Sequence, residues 1–152
     1  MNTRKSGTSE GRATPTQMVR KHVYVVNGSA AFLDIVRELL QDERYNVTTT
    51  NFVPESFEAI AGARPSLLII DLSVREDAGW DLLRELRQAA STRGIPVLLV
   101  STTSELLEKA KSQHDEFGGD RYLRKPFNLD DLLIEIQGLI GSAEAESKSE
   151  KN

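Results

Sequence analysis

No cysteine occurs in the 152 residues, which excludes disulfides, thiolate metal sites and cysteine nucleophiles from the start. Aromatic residues make up only 6%, with a single tryptophan, Trp80. The two histidines, His22 and His114, stand far apart without metal-ligand spacing and read as surface side chains. No apolar run approaches the roughly 20 residues of a membrane span; those at 67–70 and 97–100 have the length of buried strands. Positive charge near the N-terminus is not followed by an apolar stretch of signal-peptide type. A net charge of −4 speaks against a nucleic-acid-binding surface spread over the chain. The expectation is a cytoplasmic protein with neither nucleic-acid nor membrane partners.

What is present suits one domain with polar ends. Residues 1–20 are rich in Thr, Ser, Gly and Arg with little to bury, and are expected to form a disordered tail. Its basic residues Arg4, Lys5, Arg12 and Arg20 fit a solvated tail better than a docking arm for an acidic partner. Residues 142–152 read as a polar C-terminal tail, which leaves 21–141 as the folded domain.

Within that domain strand-like and helix-like patterns alternate. Residues 23–26 form a β-branched and aromatic run, and Phe32, Ile35, Val36, Leu39 and Leu40 follow at helical spacing. Residues 45–50 read as a second strand. Pro54 suits a first helical turn, with Phe57, Ile60 and Ala61 on one apolar face. Residues 67–70 are apolar at every position, as in a strand covered on both sides. Leu82, Leu83 and Leu86 mark a third helix, and Pro96 leads into the strand at 97–100. Thr102 and Glu105 have capping-box spacing for a fourth helix, with Leu106, Leu107 and Ala110 inward and Gly118 and Gly119 at its end. Tyr122 and Leu123 read as a short fifth strand. Asn128 caps a last helix with Asp130 and Asp131 in its first turn, a stripe of Leu132, Leu133, Ile136, Leu139 and Ile140, and Gly141 past its end.

Five strands alternating with five helices predict a doubly wound α/β fold around a parallel sheet. In such sheets chemistry collects at the carboxyl ends of the strands. The residues to inspect are therefore Asn27, Gly28, Asp71, Ser101 and Lys125.

Those positions carry a family resemblance. LLIIDLSVREDAGWDLLRELR resembles the phosphoacceptor segment of bacterial response-regulator receiver domains, with Asp71 ending the third strand and Gly79 eight positions on. PVLLVSTT resembles the fourth strand and sets Ser101 at the hydroxyl position. RYLRKPF resembles the fifth, with Lys125 as the family's invariant lysine and Tyr122 as its aromatic switch. VYVVNGSAAFLDIVRELL resembles the first strand and helix. The similarity runs from about residue 21 to residue 141. It implies the flavodoxin-like, CheY-like strand order 2-1-3-4-5 and a role in two-component phosphorelay signalling. It further implies a histidine kinase or downstream effector as partner, met through the fourth helix, fifth strand and fifth helix, a face through which receivers also form homodimers.

The family carries out phosphoryl transfer to the aspartate with a magnesium ion held by that residue and two acids after the first strand. Here those two positions are Asn27 and Gly28, so magnesium on Asp71 is expected to be weak or absent. Arg75 stands where the family usually has Pro, with a guanidinium long enough to reach Asp71 and take up the cation's space. Glu76 and Asp77 are candidates for a substitute acid, although a solvated loop explains them as well. Tyr122 fits a half-buried strand aromatic as well as a switch. Asn27-Gly28-Ser29 lacks the lysine and glycine spacing of a phosphate loop and reads as a turn. Three functions remain: an atypical receiver acting by protein contact, a working phosphoacceptor on Asp71, and a flavodoxin-like nucleotide or cofactor binder. The last has no phosphate loop or nucleophile–base pair behind it, and nothing marks an enzyme.

Overall fold

Four consecutive apolar residues, Leu67 to Ile70, need cover above and below, and the chain supplies it with helices on both faces of a sheet. A computed structural model describes residues 20–51, 56–72, 77–114 and 118–144. In chain order the elements are β1 His22–Val26, α1 Ala30–Asp42, β2 Asn46–Thr50, α2 Ser56–Ala63, β3 Leu67–Leu72, α3 Ala78–Gln88, β4 Val97–Ser101, α4 Ser104–Ser112, β5 Arg121–Arg124 and α5 Leu129–Ile140. All paired strands are parallel, and their order is β2-β1-β3-β4-β5. The expected five-stranded, doubly wound architecture is the one observed. The expected tail up to residue 19, Pro54, Arg75, Glu76 and residues 145–152 lie outside the described residues.

Strand alternation sorts the core into two layers. Tyr24, Val26, Leu68, Ile70, Leu72 and Leu99 pack with Ile60 of α2, Trp80, Leu83 and Leu86 of α3, and Leu107 and Ala110 of α4. Val23, Val25, Ile69, Leu98 and Val100 pack on the other face with Leu33, Val36 and Leu40 of α1 and Leu132 and Ile136 of α5. Each fully buried side chain of this size contributes roughly 1.5–3 kcal/mol of transfer free energy.

Helix details differ from the sequence pattern in three places. On α1 the sheet takes Leu33, Val36 and Leu40, while Ile35 stays 50% exposed. Apolar residues wrap more than half of this helix, and the sheet covers only the stripe that points straight at it. Before α4 the cap is Thr103, without a side-chain cap bond, so the Thr102–Glu105 box is not formed. That helix stops at Ser112, and Gly118 and Gly119 are buried farther on, where a Cβ on Gly119 would lie 2.9 Å from the Leu99 side chain. His22 is not a free surface histidine; it is half-buried, with its ring Nε2 2.8 Å from Thr48 Oγ1 on β2. α5 is capped as expected, Asn128 Oδ1 accepting from the Asp131 N–H at 2.8 Å, and Gly141 takes φ 77° at its C-terminus. Packing continues past Gly141 to Ala143, which is 3% exposed and whose carbonyl accepts from the Lys21 N–H at 2.7 Å.

Candidate functional site

Parallel strands end on one rim, and the residues that follow or close β1, β3, β4 and β5 meet there. Val26 of β1 is in register with Ile70 of β3, so Asn27 and Asp71 are the next residues on neighbouring strands. The Asn27 N–H donates to the Thr50 carbonyl at 3.1 Å, prolonging the β1–β2 ladder. The Lys125 N–H donates to the Ser101 carbonyl at 2.8 Å, prolonging β5 along β4. Alternation therefore directs Asn27, Asp71 and Lys125 toward the α1 and α5 side, following Val25, Ile69 and Leu123.

Lys125 Nζ lies 2.8 Å from Asp71 Oδ1, and the side chains are only 19% and 16% exposed. Partial burial strengthens this attraction over that of an ordinary surface pair. The same ammonium stands 4.5 Å from the centre of the Phe32 ring in the first turn of α1, a cation–π contact. Phe32 in turn meets Phe127 edge-on, centroids 6.2 Å apart. Lysine and carboxylate are thus held together under an aromatic flank.

Asn27 is 2% exposed. Its Oδ1 accepts from the Ser29 N–H at 2.8 Å, and the Ser29 hydroxyl accepts from the Phe32 N–H at 3.2 Å, starting α1. This Asx turn settles how the amide faces: oxygen inward on the turn, nitrogen away from it. Asn27 Nδ2 is buried with no hydrogen-bond partner among the described residues. Gly28 is exposed and brings no side chain; a Cβ built there would meet nothing within 4 Å. Among the described residues no group of three or more acidic or histidine side chains is placed to hold a metal ion.

Ser101 and Tyr122 occupy the opposite layer. Ser101 is fully buried; its hydroxyl donates to the Leu72 carbonyl at 2.8 Å and accepts from the Thr103 N–H at 3.1 Å. Tyr122 is half-buried against the α2, α3 and α4 layer, and its oxygen accepts from the Gly119 N–H at 2.9 Å. Lys111 Nζ lies 5.1 Å from its ring centre. Asp77 sits exposed just before α3.

Residues 23–137 match the response regulator receiver domain family. The chain belongs to that family. Among curated relatives of this receiver, the probable transcriptional regulatory protein TcrX of Mycobacterium tuberculosis is 26% identical over 118 residues, covering 78% of the chain and 49% of the relative. The cell cycle response regulator CtrA of Brucella ovis is 25% identical over 127 residues, covering 84% of the chain and 53% of CtrA. The receiver thus spans about half the length of these relatives. Chemotaxis response regulator CheY4 of Vibrio cholerae superposes with a TM-score of 0.69 at 25% identity, covering 79% of this receiver and 98% of CheY4. A CheY-like receiver domain from Methanospirillum hungatei gives a TM-score of 0.68 at 25% identity, covering 78% and 92% of the two chains.

Of the site residues read from the sequence, Asp71, Lys125 and Asn27 stand on one side of the receiver's sheet, with Gly28 in the turn beside them. Ser101 and Tyr122 stand behind it. Phe32 was missed: it looks like ordinary helix packing, and only its place in the first turn after the β1 loop hints at the lysine contact. The committed Asn27 oxygen was missed as well, although Asn two residues before Ser is a common Asx-turn pattern. No helix among the described residues is long and apolar enough to cross a membrane.

Proposed function

We propose that this receiver is atypical: an interaction module of two-component, phosphorelay signalling in the cytoplasm, with weak or no magnesium-dependent phosphorylation of Asp71. What supports the reading is the end of β1, where the family resemblance aligns Asn27 and Gly28 with the acidic pair. The single amide oxygen there is already bonded to the Ser29 N–H at 2.8 Å, and Gly28 has no oxygen to offer. Magnesium sheds water reluctantly, keeps a near-octahedral shell and is usually held by one or two carboxylates. These residues do not fit such a cage, and the Lys125 ammonium already neutralises Asp71. Partners of this reading are a histidine kinase or a downstream effector, met through α4, β5 and α5 around Tyr122, with a homodimer through the same face as a further form.

A second reading, a working phosphoacceptor, draws support from the retained pairing of Lys125 with Asp71 at 2.8 Å. Magnesium titration by isothermal calorimetry separates the two. The expected result is no saturable heat at millimolar metal; saturable binding that disappears in Asp71→Asn overturns the proposal. Calorimetry is preferable to tryptophan emission, because Trp80 is 9% exposed within the core. The double variant Asn27→Asp/Gly28→Asp is expected to gain magnesium binding, and position 28 has open space for the new side chain. If that variant binds no better than the parent, the β1 loop is not the place where a receiver's metal would sit.

A further inference from the structure

We infer that this site is built to carry a phosphoryl group on Asp71 without any metal, with Asn27 Nδ2 and Lys125 Nζ as the donors to its oxygens. The inference rests on the reading that the magnesium cage is missing, and takes it further: the loss of the acids removes the need for the cation.

Charge makes the first argument. An acidic pair contributes two negative charges, and a divalent ion two positive ones, so together they add nothing to the site. Asn27 and Gly28 are neutral and also add nothing. Lys125 and Asp71 remain in both cases. Counting Asn27, Gly28, Lys125 and Asp71 alone, a phosphoryl group on Asp71 therefore meets the same net charge here, metal-free, as from the corresponding groups of a magnesium-loaded acidic receiver. Without the acids there is no carboxylate on β1 to repel the group's oxygens.

The orphaned amide makes the second. Asn27 is 2% exposed, and its Nδ2 has no acceptor among the described residues. A buried donor left unpaired is unfavourable, and native proteins rarely leave one so without a use for it. Its Oδ1 is held by the Ser29 N–H at 2.8 Å, so the amide presents a donor and not an acceptor to whatever approaches. A donor repels a cation and suits an anionic oxygen. Asn27 directly follows the residue in register with Ile70, and Asp71 directly follows Ile70, so the two residues are lateral neighbours, and each stands two positions after a strand residue, Val25 or Ile69, that faces the α1 and α5 layer. Gly28 leaves the approach open, with nothing within 4 Å of where a Cβ would stand.

In the step this arrangement supports, a carboxylate oxygen of Asp71 attacks the phosphorus of an acyl phosphate. The new oxygen–phosphorus bond forms as the donor's breaks, and the donor leaves as a carboxylate with the electron pair. No proton is exchanged. Lys125 shifts its hydrogen bonding from the Asp71 carboxylate to the arriving phosphoryl oxygens, and Asn27 Nδ2 gains its missing acceptor.

The test uses the full chain, treated with EDTA, incubated with acetyl phosphate and read by intact mass. The expected result is addition of one phosphoryl group to the same extent with and without magnesium, and none in Asp71→Asn. Asn27→Ala is expected to slow the addition by about tenfold or more, the usual effect of losing a hydrogen bond to a charged group. Asn27→Asp, nearly the same shape, keeps the fold and is expected to suppress the metal-free addition by charge alone. Modification that requires magnesium overturns both this inference and the function proposed above. No modification under either condition overturns the inference alone. Metal-free modification that is indifferent to both Asn27 variants overturns the role given to the amide.

Discussion

Lys125 and Asp71 form a partly buried ion pair, and its energetic sign depends on what each side chain would face without the other. Lys125→Met keeps an apolar stem against Phe32 and deletes the ammonium. It is expected to destabilise the fold by on the order of 1–3 kcal/mol, less than for a fully buried pair and more than for a surface one. Adding Asp71→Asn is expected to recover part of that loss, giving a favourable coupling of about 1 kcal/mol in a urea double-mutant cycle. Strict additivity would mean that the two charges contribute nothing to each other. The pair itself was legible in the sequence, because a carboxylate after four apolar residues and a lysine before Pro-Phe both fall at the carboxyl ends of strands. What the sequence concealed was the disposition of individual polar atoms. Whether the Asn27 oxygen is free, or the Ser101 hydroxyl is already bonded to the Leu72 carbonyl, depends on turn geometry that residue identity alone does not specify.

β1 and β2 show the same division between pattern and detail. Their existence follows from β-branched runs, but the side-chain contact between them, His22 Nε2 to Thr48 Oγ1 at 2.8 Å, arises only from the register His22↔Asn46. Burial holds the His22 pKa below the ordinary imidazole value. The unfolded chain therefore binds its proton more readily than the folded one. The contribution of this group is fully present above the ordinary value of about 6.5, and declines as pH falls through that value and on through the lower folded one. His22→Gln is expected to flatten the dependence of Tm on pH over this acid range. An unchanged slope in His22→Gln would show that other groups set it. Helix faces were the least legible elements. α1 has apolar residues around most of its circumference, and only the sheet's position chooses Leu33 over Ile35. Arg87 gave no signal at all in the sequence, yet it donates to the carbonyls of Gly118 at 2.9 Å and Arg93 at 2.8 Å, joining α3 to the approaches of β4 and β5. Contacts of that kind come from chain segments distant in sequence, and periodicity carries no trace of them.

The architecture as a whole was readable because alternating strands and helices leave few ways to wind a parallel sheet. Its closure was not. Residues just beyond α5 read as polar, since one alanine carries little hydrophobic signal, but they fasten the segment after α5 to the turn between α1 and β2. Ala143 is buried among the α1 and α5 layer, the Tyr45 hydroxyl donates to the Gly141 carbonyl at 2.6 Å, and Arg44 Nε meets Glu144 at 2.7 Å. Ala143→Asp places an unpaired charge in that seam and is expected to cost about 2–4 kcal/mol by urea unfolding. Ser142→Asp, one residue earlier and exposed, is expected to cost under about 0.5 kcal/mol. Equal losses at both positions would remove the case for packing of the segment just after α5.

The two-layer alternation has one more consequence. Asp71 and Lys125 belong to one layer, Ser101 and Tyr122 to the other, and the border between them is main chain: the Leu72 carbonyl that receives the Ser101 hydroxyl, and the Ser101 carbonyl that receives the Lys125 N–H. On the function proposed above, a message written at the carboxylate would have these peptide groups as one path to the tyrosine. A backbone amide probe at Leu72 or Thr103 is thus better placed to overhear it than any label on the protein's exterior.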